Sequence, residues 1–136
     1  MDEKYYHIED VAKESGFTKR TLRYYEDIGL IKPSRTESSY RLYTEEDIEN
    51  IKRIKTLKSN LGFSLLEIKD TFNLELDLKK ILYKDIKDKE LTEKSLELLR
   101  KQIELIEHKE ELLKNAKKKY KELLTKVEML GGNDEK

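Results

Sequence analysis

Residues 18–35, TKRTLRYYEDIGLIKPSR, set three cations and two adjacent tyrosines on what reads as one short helix. Thr18 is a natural N-cap, and the helical pattern continues through KRTLRYYEDI to Gly29. Leu22, Tyr25 and Ile28 recur at helical spacing and share an apolar face, while Lys19, Arg20, Arg23 and Tyr24 fall outside it. Upstream, Ile8, Val11 and Ala12 have the i, i+3, i+4 spacing of a helix over residues 8–15, ended by Gly16. Two short helices joined by a tight glycine-containing turn predict a helix-turn-helix. Long cationic side chains on a slim helix suit the major groove of duplex DNA. A tyrosine hydroxyl adds a donor for phosphate oxygen without adding charge.

Working outward, Leu30 and Ile31 predict a short strand, PSRTESS a turn, and YRLY at 40–43 a second strand. This hairpin, or wing, supplies Arg35, Tyr40, Arg41 and Tyr43. Thr44 followed by Asp47 is a capping box for a third helix, whose Ile48, Ile51, Ile54 and Leu57 keep helical spacing up to Gly62. Its late cations are Lys52, Arg53, Lys55 and Lys58. Ser64 caps a fourth helix, SLLEIKDTF, and residues 73–89 predict a further short helix with a bend near KDKE.

From Leu91 to Leu130 neither Pro nor Gly interrupts the chain. Leu99, Ile106, Leu113, Tyr120 and Val127 fall seven apart, flanked by Leu98, Leu105 and Leu112. A helix of ~40 residues is ~60 Å long, much longer than the preceding domain is wide. Its apolar stripe is therefore expected to pair with a second copy in a coiled coil, parallel or antiparallel. GGNDEK is expected to stop the helix. The predicted organisation is a DNA-binding domain at 1–72, a linker with a short helix at 73–90, a dimerisation helix at 91–130 and a polar tail at 131–136.

Composition agrees with long solvated helices: 43% of the 136 residues are charged and 36% apolar, with 29 cations balancing 29 acids. The total charge of zero hides a local excess. From Lys13 to Tyr25 the cations Lys13, Lys19, Arg20 and Arg23 face one acid, Glu14, for +3. There is no cysteine, which excludes disulfides and thiol chemistry. No apolar run has membrane length and the start lacks a secretory pattern, so a soluble cytoplasmic protein with no membrane partner is expected. His7 and His108 lack metal-spaced partners, and Glu45-Glu46 and Glu110-Glu111 read as helix-surface carboxylates. With no Gly-rich phosphate loop and no nucleophile–base pair, neither an enzyme nor a bound metal or cofactor is expected. The Lys117–Lys119 run reads as a solvated helix face, and Tyr25 as a core residue.

TLRYYEDIGLIKPSR, followed by YRLYTEEDIENIKRIKTLKSNLGFSLLEIKD, resembles the DNA-binding domain of the MerR-type transcriptional regulators from about Tyr6 to Phe72. The resemblance implies a mainly α winged helix-turn-helix domain with two wings, followed by a long antiparallel coiled-coil dimerisation helix. Arg23 and Tyr24 would contact the DNA backbone beside Arg20 and Lys19. Arg41 and Tyr43 would reach flanking DNA, supported by Arg35 and Tyr40, and Lys58 would grip a phosphate near the operator centre. Leu98, Leu99, Leu105, Ile106, Leu112, Leu113, Tyr120 and Val127 would form the homodimer. Such a nucleoid-associated dimer would bind a pseudo-palindromic promoter operator and act on RNA polymerase indirectly, by bending and untwisting the shared DNA.

Two departures from the family pattern narrow the function. Metal- and redox-sensing members carry cysteines near the end of the coil, and drug-sensing members add a C-terminal ligand domain. Here the coil is cysteine-free and only GGNDEK follows. The alternative function is an architectural or excisionase-like DNA-bending accessory protein. A coiled-coil interaction protein without DNA would leave the aromatic and basic front half unexplained.

Overall fold

Gly16 and Gly29 both adopt left-handed backbone, with φ of 79° and 77°. Each lies just past one of the two helices that the sequence predicts: α1, Ile8–Ser15, and α2, Lys19–Asp27. The Thr18 hydroxyl accepts from the Thr21 N–H at 3.1 Å, satisfying one of the donors left open at the start of α2. The structure, a computed structural model, describes residues 4–134.

The wing consists of β1, Ser34–Arg35, and β2, Arg41–Leu42, paired antiparallel with Ser34 opposite Leu42 and Arg35 opposite Arg41. Its first strand lies past Leu30-Ile31, where the sequence suggested it. Both of those backbone N–H groups donate to the Tyr25 carbonyl, at 2.8 and 3.3 Å. They are therefore taken up in closing α2, and their side chains are buried in the core. The hairpin turns through Thr36 and Ser39, whose φ is 66°. Beyond it, Tyr43 and Tyr6 exchange backbone N–H and C=O at 2.8 Å, tying the wing's root to the residue just ahead of α1's N-cap.

Helix α3, Glu45–Lys55, has the expected capping box: Asp47 N–H donates to the Thr44 hydroxyl at 3.1 Å, and Thr44 N–H to the Asp47 carboxylate at 2.9 Å. It does not continue as α-helix to Gly62. Residues Thr56–Asn60 form one π turn, a wider coil with one extra residue, before Gly62 turns the chain at φ 72°. Ser64 and Glu67 cap α4, Leu65–Tyr83, reciprocally at 2.8 and 3.1 Å.

The expected separate short helix in 73–89 is instead the second half of α4. No Pro or Gly lies within Leu65–Tyr83, and continuing a helix needs less than starting another. The bend falls at residues 84–88, where Asp85 has φ 50°. Asp88 then caps α5, Lys89–Asp134, accepting from the Leu91 N–H at 3.1 Å. At 46 residues, α5 is roughly 69 Å long. Gly131 and Gly132 do not end it, contrary to the expected polar tail. Each glycine costs a helix only about 1 kcal/mol relative to Ala, and no proline removes a backbone donor. Glu135 and Lys136, the rest of the expected tail, lie outside the described residues.

The chain divides into two compact units between Asn73 and Leu74. The first is centred on Val11, Leu22, Tyr25, Tyr43, Ile51, Ile54 and Ile68, all fully buried. This core draws at least one side chain from each of α1 to α4, so α2 presents its other face to solvent. In the second unit, α5 carries a long row of exposed apolar side chains.

Candidate nucleic-acid interface

The two adjacent tyrosines of α2 part company. Tyr25 is 1% exposed, with the Phe17 ring packed edge-on at 5.3 Å, whereas Tyr24 is 52% exposed. Leu22 and Tyr25 fix the rotation of α2, and the rotation puts Arg20, Arg23 and Tyr24 outside. Neither Arg20 nor Arg23 has an ion-pair partner among the described residues. Lys19 is paired with Glu9 at 3.4 Å, an exposed contact worth little that DNA can displace. Lys58, in the π turn, remains exposed, with its ammonium 6.0 Å from the ring centroid of the buried Tyr25. Lys69 donates to the Ile28 carbonyl at 3.2 Å, a cation at the C-terminal end of α2 that anchors α4 against it.

The wing arginines share one carboxylate. Arg35 donates through Nη2 to both Glu26 oxygens at 3.1 and 3.2 Å, and Arg41 donates through Nε to Oε1. Burial pushes the Glu26 carboxyl up, but the hydrogen bonds and charges of Arg41 and Arg35 outweigh it and hold the group below the usual glutamate range. The Glu26 hydrogen bond correspondingly raises Arg41. Arg35 also donates from Nη1 to the Ser39 carbonyl at 3.0 Å, bracing the hairpin turn. At its tip, Tyr40 is 68% exposed.

Tyr43 corrects the sequence reading. It is fully buried, and its hydroxyl has no hydrogen-bond partner among the described residues. Burial raises its phenol. In YRLY, Arg41 and Tyr43 share one side and Tyr40 and Leu42 the other, and the shared side faces Glu26 and the core rather than solvent. Tyr43 therefore turns into the core, and Arg41 on the same side meets Glu26. DNA cannot reach the Tyr43 ring without unfolding the domain.

In the second unit, Leu98, Leu99 and Leu105 are half-buried. Ile106, Leu112, Leu113, Tyr120 and Val127 are exposed, the most exposed being Leu113 at 68%. Among the described residues no group of three His, Asp or Glu side chains is placed to hold a metal ion, and no helix is long and apolar enough to cross a membrane.

Residues 6–75 match the family described as MerR HTH family regulatory protein. The chain belongs to the MerR family. Among its relatives, the "HTH-type transcriptional regulator YfmP" of Bacillus subtilis is 53% identical over 62 residues, 45% of this chain and 44% of that protein. The "Mercuric resistance operon regulatory protein" of Bacillus cereus is 42% identical over 64 residues, covering 46% and 48%. The chain thus spans about half the length of the curated relatives it matches. A MerR family transcriptional regulator from Bacillus thuringiensis superposes with a TM-score of 0.52 at 29% identity, over 85% of this chain and 96% of that one. The fold is also shared, at TM-score 0.52 and 24% identity over 77% of each chain, by HiNmlR, a MerR family regulator lacking the sensor domain and bound to promoter DNA.

Within this MerR-family domain, Glu26 and Lys69 are the contributors that sequence reading missed. Glu26 meets its partners nine and fifteen residues away, and Lys69 reaches 41 residues back. No local periodicity encodes such pairings. The only hint for Glu26 was an acid at the end of an otherwise cationic helix.

Proposed function

We propose that this MerR-family chain is a sequence-specific, DNA-binding transcriptional regulator that binds a pseudo-palindromic promoter site as a homodimer and acts by distorting the DNA. The carrying observation is the outer face of α2, with Arg20 and Arg23 exposed beside Tyr24; Lys58 is exposed in the π turn after α3. Arginines with no acidic partner among the described residues, on a groove-sized helix, fit phosphate and base-edge contact. A structural neighbour described as bound to promoter DNA supports the same reading. The apolar row on α5 supplies a surface for a second copy, and a two-fold dimer fits a two-fold site. RNA polymerase is engaged only through the shared promoter. The role requires no catalysis and is carried out in the cytoplasm, on the nucleoid.

Selection of duplexes from a random-sequence library with the full chain, followed by anisotropy titration and in vitro transcription, tests this. Enriched duplexes should bind far tighter than random ones at moderate salt and change transcript level when placed between promoter elements. No preference over random duplex sinks the proposal. Arg23→Ala, which removes one cation from each copy, should weaken binding about tenfold or more and lower the salt dependence by about two ions, while Lys117→Ala leaves both unchanged. Equal effects of the two substitutions would mean that the contact face is misassigned.

A further inference from the structure

Arg35 and Arg41 are directly opposed across the two-stranded wing. Like charges opposite one another destabilise a strand pair, and an isolated two-stranded ribbon is marginal even without them. Glu26 lies between the two guanidinium groups, takes three N–H···O contacts from them, and its side chain is only 18% exposed. It thus offsets the repulsion inside the ribbon and fastens the ribbon to the last turn of α2. Two cations on one anion leave the cluster at +1. Arg41 uses only Nε here, so both of its terminal nitrogens keep their donors without a protein partner among the described residues.

We propose that Glu26 is a positioning residue for DNA binding: it locks the wing to the recognition helix and presents the free end of Arg41 to a backbone phosphate. An acid next to a polyanion site is expected, on charge alone, to weaken binding. The positioning role reverses that sign. A guanidinium held through Nε has its planar fork preset, so less freedom is lost when a phosphate takes the terminal N–H groups.

The inference rests on the DNA-binding reading, and one experiment separates the two. The probe is a labelled duplex enriched from a random library by the wild-type full chain, titrated by fluorescence anisotropy at several salt concentrations. Glu26→Gln should weaken binding about tenfold and reduce its salt dependence, while Glu26→Asp keeps most of the affinity. In an Arg35→Ala/Arg41→Ala background, Glu26→Gln should change affinity less than about twofold. Circular dichroism reports whether each variant is folded. Should Glu26→Gln unfold, Arg41→Lys decides instead: affinity as low as that of Arg41→Ala supports the preset fork, and full retention overturns it. Binding by folded Glu26→Gln as tight as, or tighter than, the wild type overturns the proposal. So does an undiminished effect in the arginine-free background. A wild-type chain that enriches no duplex overturns the DNA-binding reading itself.

Discussion

The Tyr43 phenol is buried and its hydroxyl meets no hydrogen-bond partner among the described residues, so what the site uses is the ring. Tyr43→Phe should therefore leave stability unchanged or raise it by up to about 1 kcal/mol in urea denaturation. Truncation to Ala should cost about 3–5 kcal/mol, the usual range for emptying a large aromatic site. Glu26 gives the opposite case, a polar group whose charge is used. Its folded carboxyl titrates below its unfolded value, so the stabilisation is present above the unfolded value and lost as pH falls through the folded one. Glu26→Gln should therefore flatten the acid limb of stability measured by urea midpoints across that window. An unchanged limb would mean that the arginines hold no more than a solvated acid. At this scale the sequence was legible only in part. The outward turn of Tyr24 and inward turn of Tyr25 follow from helical spacing, but alternation in YRLY groups Arg41 with Tyr43 without saying whether that side faces solvent or core, and the core side is set by the distant partner Glu26 and by packing.

Element by element, what could be read depended on how local the signal was. The ends of α1 and α2 and the start of α3 follow from caps and glycines within a few residues, and the structure places them where that chemistry puts them, whereas α3 gives way to the π turn before Gly62. The division of residues 73–89 was not legible, because Leu74, Leu76 and Leu78 fit a strand pattern while the surrounding leucines fit a helix. In the proposed dimer, the order of charges along α5 favours one direction of pairing. Glu104, Glu107, Glu110 and Glu111 precede Leu112-Leu113, and Lys114, Lys117, Lys118, Lys119 and Lys121 come after. Two parallel copies would stack acid on acid and base on base. Antiparallel copies crossing near Leu112-Leu113 place acids against lysines, and set Leu98 and Leu99 near Val127 and Leu105 and Ile106 near Tyr120. Glu104→Lys/Glu107→Lys and Lys118→Glu/Lys121→Glu should each weaken dimerisation roughly tenfold in analytical ultracentrifugation. All four changes together should restore it. Dimers indifferent to every variant would point to parallel pairing.

For the molecule as a whole, balanced charge gives no forecast of affinity for DNA, since the attraction is set by the face in contact. Two copies each presenting Arg20, Arg23 and Lys58 would release about six counterions. Affinity for an enriched duplex should then fall about 10³-fold between 50 and 200 mM salt. A flat salt dependence would instead mean that the zero total governs. The π turn at Thr56–Asn60 has a consequence of another kind. A π turn holds more residues per turn than an α turn, so it changes the angle at which the following residues leave α3. Lys58 sits inside that turn, while Ile48, Ile51 and Ile54 lie before it and keep their places in the core. Removing one residue there would rotate the residues that follow by about 100° around the helix axis. The direction in which Lys58 is presented therefore depends on chain length as well as on side-chain identity, and deleting one residue here should displace it more than a surface substitution would.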